Sequence, residues 1–482
     1  MPFLGDTSNE TADDAPHIRE APRAVPGLLL VWSVDAPQLR ACPLTSATAA
    51  YEIGRSSEAL IEFPNDPAMS RLHCDVQVEG DALIIRDRGG RNGTYLNGAP
   101  IHGTVRTPLA ERGVLRAGSC LFLIEPDLHR VGWQSGPFQP NLRSTLLEDG
   151  IVIGPAMARI RAEVADAARR GFTLFVQAET GAGKEIIASH YAAESGRPHI
   201  KRRNCANFQK DLAEAELFGA VRGAYTGAHR DRAGAFEEAH RGVLFLDELA
   251  ELPLEVQPKL LRVLEERTIR PVGGDEKPID VALVCATHTD LEKAVEAGRF
   301  RADLWYRLAQ HPVTLPPLRE RREEIPYLVH LFLEEFEGVP PVSVRFMEAC
   351  LRGPWRGNVR ELKSAVVQDA TANVREGSPS LEPTAALHRR IGEPTAEPAS
   401  APPVGAAVPE RGAPSGTPAG TPSGPPPPRL ARSSKLEERR RALKSAMLTC
   451  DNNIAAAARA IGIPLSSAYR LSADAEEEGE GA

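Results

Sequence analysis

The chain has 482 residues, of which 42% are hydrophobic and 25% charged, and its formal net charge is −8. This composition is ordinary for globular protein, the length predicts about three domains, and the negative charge argues against a protein that coats nucleic acid by bulk charge. The seven cysteines have no paired spacing, no apolar run is as long as a membrane span, and the acidic N-terminal segment differs from a signal peptide. We therefore expect a multidomain protein of the reducing cytoplasm that has no membrane partner.

Short strands separated by turns predict an all-β sandwich over residues 27–126. The segment "HCDVQVEG" alternates, "ALIIRD" is a compact apolar run, and "RGGRNGTYLNG" is dense in turn residues. The motifs in "IGRSSEAL", "MSRLHCDVQV" and "GGRNGTYLNG" follow the order and spacing of the forkhead-associated (FHA) family, which this region resembles. These motifs are Gly54-Arg55, Ser70, His73, Asn92-Gly93 and Asn97-Gly98.

The FHA resemblance implies a site for phosphothreonine peptides. Arg55 would supply a fork of donors, and the Ser70 hydroxyl and Arg71 would share the phosphate oxygens. Asn92 would bind the backbone of the ligand, and His73 would brace the loops from within. The implied partner is a phosphothreonine protein, either a Ser/Thr kinase or its substrate. The alternative is a β-sandwich in which these polar residues only close turns.

Residues 146–385 form the second predicted domain, in which helices alternate with continuous apolar strands. The strands "FTLFV", "GVLFLDE" and "DVALVCAT" are typical of a parallel sheet covered by helices on both faces. Segments after Glu323 are mainly helical. The sequence therefore predicts an α/β domain with a helical lid.

Two motifs of this domain predict a site for ATP and Mg²⁺. Glycines after "FTLFV" allow backbone N–H groups to close around phosphate, and a lysine that opens the next helix reaches the outer phosphates. Asp247 follows a buried strand and could hold Mg²⁺ through water, while Glu248 could orient or deprotonate the attacking water. A glycine-rich turn and a capping carboxylate pair are the simpler interpretations. The predicted phosphate loop comprises Ala178, Glu179, Thr180, Gly181, Ala182, Gly183, Lys184 and Glu185.

The segment "ELFGAVRGAYTGA" is the most specific element of the second domain. It resembles the GAFTGA loop of the AAA+ ATPases that activate sigma-54 RNA polymerase, and the similarity covers about residues 146–370. The resemblance implies a P-loop AAA+ fold and a loop that touches the sigma factor when the nucleotide state raises it. The implied contact residues are Gly223, Ala224, Tyr225, Thr226, Gly227 and Ala228.

Four further residues receive roles from this resemblance. Asn204 of "NCANF" would restrain Glu248, and Arg360 of "WRGNVREL" would touch the nucleotide as a sensor. Arg301 and Arg307 of "GRFRADLWYRL" would enter the site of the neighbouring subunit. Arginines supplied in trans imply a homo-oligomer, which we expect to be a hexamer.

Two residues depart from the family pattern. His288 replaces the sensor asparagine beside the nucleotide, and Arg356 replaces a proline. The larger, titratable ring of His288 could alter how hydrolysis is coupled to movement of the loop.

The C-terminal part combines a linker with a small helical domain. Residues 386–432 are rich in proline, which predicts a disordered linker. Within residues 433–475, "NNIAAAARAIGIPLSSAYRL" resembles the all-α Fis-type helix-turn-helix that ends such activators, which implies binding to upstream enhancer DNA. The acidic tail would repel phosphate, and the alternative is a helical dimerisation unit. The implied major-groove residues are Ser466, Ser467, Tyr469 and Arg470.

Together these features predict a sigma-54-dependent transcriptional activator. It would couple ATP hydrolysis to remodelling of the closed sigma-54 RNA polymerase complex, under the control of phosphothreonine binding. His288 and Arg356, together with Ala178, which replaces the usual leading glycine of the phosphate loop, motivate an alternative. This is a phosphothreonine-dependent DNA-binding regulator that binds nucleotide as a switch and hydrolyses little.

Overall fold

The computed structural model describes residues 24–46, 49–57, 59–134, 147–148, 151–197, 199–225 and 229–392. The chain divides into two units, residues 1–399 and 400–482, and the second unit lies outside the described residues. The predicted helix-turn-helix and most of the predicted linker fall there. None of the described helices is both long enough and apolar enough to cross a membrane.

The N-terminal part is a sandwich of two antiparallel sheets, apart from one short parallel pairing between β3 and β4. The sheet orders are β2-β1-β11-β10-β7-β8 and β4-β3-β5-β6-β9. Its strands are β1 (Gly27–Ser33), β2 (Ala36–Pro43), β3 (Tyr51–Gly54), β4 (Ile61–Glu62), β5 (Cys74–Glu79), β6 (Ala82–Asp87), β7 (Thr94–Leu96), β8 (Ala99–Pro100), β9 (Thr104–Pro108), β10 (Val114–Ala117) and β11 (Cys120–Glu125).

Strands β1 and β11 are apolar on both faces. Leu28 and Leu30 pack inward between the two sheets, whereas Leu29 and Val31 belong to a second cluster on the outer face. Trp32 joins the outer cluster beside Val31 because the register of β1 shifts between Leu30 and Trp32. Strict alternation of apolar and polar residues is therefore lost, as expected for a sheet that is covered on both sides.

The central part contains a five-stranded parallel sheet of order β15-β16-β19-β14-β20. Hydrophobic clusters lie on both of its faces, and its three central strands, β16, β19 and β14, carry continuous apolar runs. The strands of this sheet are β14 (Leu174–Gln177), β15 (Ile200–Asn204), β16 (Val243–Asp247), β19 (Ala282–Thr287) and β20 (Pro312–Thr314). Two separate antiparallel pairs are β12 (Leu147–Glu148) with β13 (Ile151–Val152) and β17 (Thr268–Ile269) with β18 (Lys277–Pro278). The helices before the lid are α1 (Pro155–Arg169), α2 (Lys184–Glu194), α3 (Ala213–Phe218), α4 (Ala235–Glu238), α5 (Gln257–Glu266), α6 (Leu291–Glu296) and α7 (Ala302–Leu308).

The lid follows β20 and is helical, as the sequence predicts. Its helices are α8 (Ile325–Glu334), α9 (Val344–Arg352), α10 (Asn358–Glu376) and α11 (Ala385–Arg390). Ser343 caps α9 by accepting a hydrogen bond from the N–H of Phe346. Buried side chains of α8, α9 and α10 belong to the same cluster as the outer face of the N-terminal sandwich. The two parts of the chain thus share one apolar core.

Candidate functional site

The glycine-rich loop connects the end of β14 to the start of α2. Gly181 and Gly183 have φ angles of 76° and 109°, a region in which a side chain is strained. A Cβ on Gly181 would also lie 2.4 Å from the Gly357 carbonyl oxygen of the lid. Glycine is therefore required here both by the turn and by the close approach of the lid.

The lid holds the loop through its carbonyl groups. Asn358 Nδ2 donates to the Thr180 oxygen over 3.1 Å, and the Val359 N–H donates to the Gly181 oxygen, also over 3.1 Å. Since the C=O and N–H of one trans peptide point in opposite directions, the Gly181 N–H faces away from the lid contact, while the Ala182 N–H donates to the Glu179 oxygen over 3.2 Å within the loop. Amides arranged in this way at a helix N-terminus are suited to bind phosphate.

A second set of contacts fixes the loop from the segment that precedes α8. Arg321 Nη2 donates to the Ala182 carbonyl oxygen over 2.6 Å. The other arm of Arg321 pairs with Glu324, which accepts from the Gly154 N–H over 2.9 Å. Arg319 forms a bidentate contact with the Glu179 carboxylate, and this hydrogen bonding lowers the pKa of Glu179. No local motif marks Arg319 and Arg321, because their partners in the loop lie about 140 residues away in the sequence.

Lys184 and the two strand-end carboxylates meet at the centre of the site. The buried Lys184 Nζ lies 2.8 Å from Asp247 Oδ1 and 2.7 Å from Glu248 Oε1. Glu248 has a left-handed backbone, with φ 51° and ψ 49°, and such strain is common at functional sites. Burial would raise the pKa of Glu248, but the hydrogen bonds from Lys184 and His288 outweigh it and hold the pKa below its usual value. The Glu248 carboxyl is therefore ionised at neutral pH.

His288 contacts Glu248 directly. Its Nδ1 lies 2.6 Å from Glu248 Oε2, and because an ionised carboxylate can only accept, Nδ1 carries the proton. The predicted restraint of Glu248 by Asn204 is not made among the described residues. The side-chain carbonyl of Asn204 instead accepts from the Ala206 N–H over 2.9 Å. Lys184 and His288, and not Asn204, hold the Glu248 carboxylate in position.

Lys184, Asp247 and Glu248 line a pocket of about 530 Å³, whereas His288 is not part of its wall. Thr180, Asn204 and Arg360 lie in its wall, and the hydrogen bonding of Asn204 differs from the expected one. One side of the pocket is apolar, which suits a flat base. The sequence analysis did not identify this side, which consists of Ile151, Val152, Ile153, Met157, Leu328, Leu331 and Phe332.

The donor set suits Mg²⁺ held together with a nucleotide. No group of three or more His, Cys, Asp or Glu side chains capable of binding a metal occurs in the described part of the chain. Mg²⁺ commonly uses one or two carboxylates together with phosphate oxygens and water. Asp247, at the end of β16, is placed to supply such a carboxylate.

The two predicted finger arginines lie outside this pocket. Arg301 donates to the Asp303 carboxylate over 2.7 Å, and both side chains are about half exposed. Arg307 donates to the Leu264 oxygen over 3.2 Å. Neither arginine serves the site of its own chain, which is compatible with action on a neighbouring subunit.

The base of the "GAYTGA" loop is fixed, while part of the loop lies outside the described residues. Ala220 forms β-bridges with Arg232 and Val272, and Gly223 lies exposed beyond them. Ala224 and Tyr225 are half-buried. Thr226, Gly227 and Ala228 are not among the described residues. The same holds for the predicted DNA-binding residues Ser466, Ser467, Tyr469 and Arg470.

The predicted phosphothreonine residues lie at one end of the sandwich. Arg55 and Arg71 are exposed there, and the Arg55 N–H bonds the Ser70 oxygen. Buried His73 accepts from the Ser70 N–H at Nδ1, so its proton resides on Nε2, which donates to the Gly93 oxygen over 3.0 Å. His73 thereby joins two of the loops, as the sequence predicts.

Comparison with known families identifies both parts. Residues 51–118 match the FHA domain, residues 151–314 match the sigma-54 interaction domain, and residues 319–388 match the AAA+ ATPase lid domain. The predictions of an FHA sandwich and of an AAA+ domain with a helical lid are thus confirmed. The central domain belongs to an ATPase family.

Two relatives are similar over this central region. The chain is 46% identical to the Nif-specific regulatory protein of Herbaspirillum seropedicae over 233 residues, which is 47% of this chain and 43% of the relative. It is 47% identical to the transcriptional regulatory protein XylR of Pseudomonas putida over 239 residues, which is 47% of this chain and 42% of the relative. The matching region therefore spans less than half the length of either relative.

A solved structure of NtrX from Brucella abortus in complex with ATP is 27% identical. The match covers 68% of this chain and 69% of that chain, with a TM-score of 0.45.

Proposed function

We propose that this chain, whose residues 151–388 are a sigma-54 interaction domain of the AAA+ ATPase type with its lid, is a sigma-54-dependent transcriptional activator. The observation that carries the proposal is the meeting of Lys184, Asp247 and Glu248 in one pocket. The same domain presents the "GAYTGA" segment from a fixed base. A nucleotide site and a sigma-contact loop on one scaffold support ATP-driven remodelling of the closed polymerase complex.

The residues of this chain have distinct tasks in the proposed reaction. The loop amides and Lys184 bind the phosphates, and Asp247 would hold Mg²⁺, which would supply neutralisation of the phosphate charge. Glu248, ionised and fixed by its neighbours, accepts the proton of the attacking water. Arg301 and Arg307 of one subunit stabilise the transferring phosphoryl group in the site of the next subunit of a hexamer.

Signal input and DNA binding complete the proposal. The FHA domain recognises a phosphothreonine protein through Arg55, Ser70, Arg71 and Asn92, and this binding controls the ATPase. The C-terminal region, residues 433–475, binds upstream enhancer DNA, and the activator works in the cytoplasm.

The test is transcription by purified sigma-54 RNA polymerase with the full chain, ATP and a phosphothreonine peptide. We expect activation by the wild type and none by Glu248→Gln or Thr226→Ala. Thr226→Ala should still hydrolyse ATP, because Thr226 is predicted to contact the sigma factor and lies outside the nucleotide motifs. Full activation by Thr226→Ala would contradict the sigma-contact role.

The contact between His288 and Glu248 favours one alternative. With Glu248 bonded at both oxygens, the chain could bind nucleotide as a switch and hydrolyse little. ATP turnover separates the two functions. Equal, slow turnover in wild type, Glu248→Gln and Arg301→Ala would support the switch and contradict the activator.

A further inference from the structure

The FHA sandwich packs against the ATPase lid through an apolar interface. Helix α8 lies against β2, and α9 lies against β10 and β11. Trp32 and Leu121 of the sandwich share one buried cluster with Phe332 and Met347 of the lid. Without the lid this face of the sheet would be a large exposed apolar patch, so the two domains are expected to stay docked.

One ion pair is buried inside this interface. Arg116 Nε on β10 donates to Glu348 Oε2 on α9 over 2.7 Å. The N–H of Gly98, in the turn between β7 and β8, donates to the other oxygen, Oε1, over 2.9 Å. The side chains of Arg116 and Glu348 are only 11% and 5% exposed. A buried ion pair is stable only in good geometry, so the position of α9 is tied to these two FHA segments.

The same pair is in contact with the predicted phosphothreonine site. The Arg116 guanidinium carbon lies 3.6 Å from the centre of the Tyr95 ring. A Cβ on Gly93 would lie 3.6 Å from that ring, so the ring packs beside the Asn92-Gly93 loop. His73 and Asn92 connect this loop to the Ser70 segment. A continuous set of contacts thus leads from the peptide-binding loops to Glu348.

On its other side the interface reaches the nucleotide pocket. Val152, Leu328 and Phe332 belong to the cluster that contains the FHA residues, and they also line the pocket. Arg322 donates to the Arg112 carbonyl of the FHA domain, and the adjacent Arg321 holds the phosphate loop at Ala182. A movement of the sandwich against the lid would therefore change the wall and the loop of this pocket.

We propose that the Arg116–Glu348 pair couples phosphothreonine binding on the FHA domain to nucleotide binding under the lid. The coupling acts within one chain, through α9 and the shared apolar cluster. It rests on the proposed function, because it requires that the FHA loops bind phosphothreonine and that the pocket binds nucleotide.

Reciprocal binding measurements on the full chain test this coupling. The probes are a fluorescent ADP analogue and a peptide mixture with a fixed phosphothreonine between randomised positions, with the unphosphorylated mixture as control. If the phosphopeptide changes ADP affinity by some factor, ADP must change phosphopeptide affinity by the same factor. For the wild type we expect each probe to change the affinity for the other by a factor of about five or more, as either an increase or a decrease.

Glu348→Gln should reduce the coupling factor to about one, while each probe alone binds within about twofold of its wild-type affinity. Arg116→Lys provides a second variant, because lysine keeps the charge but loses the planar contact with Tyr95. It should lower the factor as well. Glu334→Gln is the matched control, since it removes a surface carboxylate of the same lid whose contact is with His330, outside the pocket wall, and it should leave the factor unchanged.

Two outcomes would overturn the coupling while leaving the proposed function intact. Either the wild type binds both probes with a factor of one, or both variants keep the wild-type factor. Failure of the wild type to bind the phosphopeptide or the nucleotide would instead contradict the proposed function, and the coupling with it.

Discussion

Glu323 is a fully buried carboxyl group next to the FHA–lid interface, and its Oε2 has no hydrogen-bond partner in the described part of the chain. Burial, with a contribution from Glu324, raises the pKa of Glu323 to about 8. The carboxyl is therefore protonated in the folded protein at neutral pH but ionised after unfolding. Glu125 and Arg112 of the FHA domain also act on it, with opposite signs.

We predict that Glu323 makes the folded protein less stable as pH rises. A folded pKa of about 8 against an ordinary 4.5 means that the native state holds an extra proton between these values. The free energy of unfolding should fall by about 1.4 kcal/mol per pH unit in this window and level off above it. Glu323→Gln cannot ionise, so it should be more stable than wild type at pH 8 and similar at pH 5.

Urea unfolding at pH 5 and pH 8 measures this effect. Glu324, whose pKa is also raised by burial, should leave a residual slope in the variant. Glu335→Gln, at an exposed position, is the control. An identical pH slope for Glu323→Gln and wild type would show that Glu323 stays ionised in the folded protein.

At His288 we predict that replacement by asparagine increases ATP turnover. The imidazole engages Glu248 Oε2, and the shorter amide cannot keep the 2.6 Å contact. This oxygen then keeps only the longer 3.4 Å contact from the backbone N–H of residue 288, so it can accept the proton of water more readily. We expect kcat to rise about tenfold, equivalent to ~1.4 kcal/mol of hydrogen bonding to a charged group, with KM nearly unchanged. Steady-state ATPase kinetics give both constants.

His330→Asn is the matched control, because its partner Glu334 lies on the lid surface. A fall in kcat for His288→Asn would mean that the histidine orients Glu248 productively. The prediction that His288 slows ATP turnover would then be wrong.

At the scale of the element, strand β11 carries the clearest sequence signature of docking. Its residues "CLFLIE" are all buried, which a half-exposed strand of a free sandwich would not require. Phe122 and Ile124 fill the sandwich, whereas Leu121 and Leu123 face the lid cluster. The strand pattern predicts the sandwich, and the apolar residues on both faces of β11 are the signal that its outer face is covered.

Leu123→Ala should therefore destabilise the full chain as much as a core substitution. Truncation of a fully buried leucine typically costs about 2–5 kcal/mol, which includes the cavity left behind. Thermal unfolding of the full chain should show the loss. Leu60→Ala is the control, since Leu60 is 61% exposed. A loss no greater than that of Leu60→Ala would contradict burial of the outer face.

At the scale of the whole molecule, the proposed ring requires residues from two subunits in each site. Glu248 belongs to the pocket of its own chain, while Arg301 lies outside that pocket. Glu248→Gln and Arg301→Ala should each be inactive alone. Mixed in equal amounts, they should recover turnover, because about a quarter of the interfaces in a random ring contain both intact residues.

ATPase assays after mixing the two purified variants provide the measurement. A mixture of Glu248→Gln with Glu248→Gln/Arg301→Ala is the control, since no interface in it is complete. Equal inactivity of both mixtures would indicate that Arg301 does not act in trans.

The sequence by itself determined the two domain families, and it predicted the phosphate loop and the strand-end carboxylates that line one pocket. The phosphate loop, the strand-end carboxylates and the FHA motifs depend on backbone conformation over a few neighbouring residues, and such conformations follow from local glycine, strand and turn patterns. His73 bridging its loops and Lys184 meeting Asp247 and Glu248 agree with those patterns. The roles of the finger arginines and of the sigma-contact loop stay predictions.

Only the tertiary structure decided how the domains meet and which groups hold Glu248. The Arg116–Glu348 pair joins residues 232 positions apart, and the His288–Glu248 contact joins neighbouring strands of one sheet. Contacts of this kind depend on the packing of whole faces against each other, and a single sequence does not reveal which faces pair. The doubly apolar strands predict that a cover exists, but only the packed structure identifies the lid as that cover.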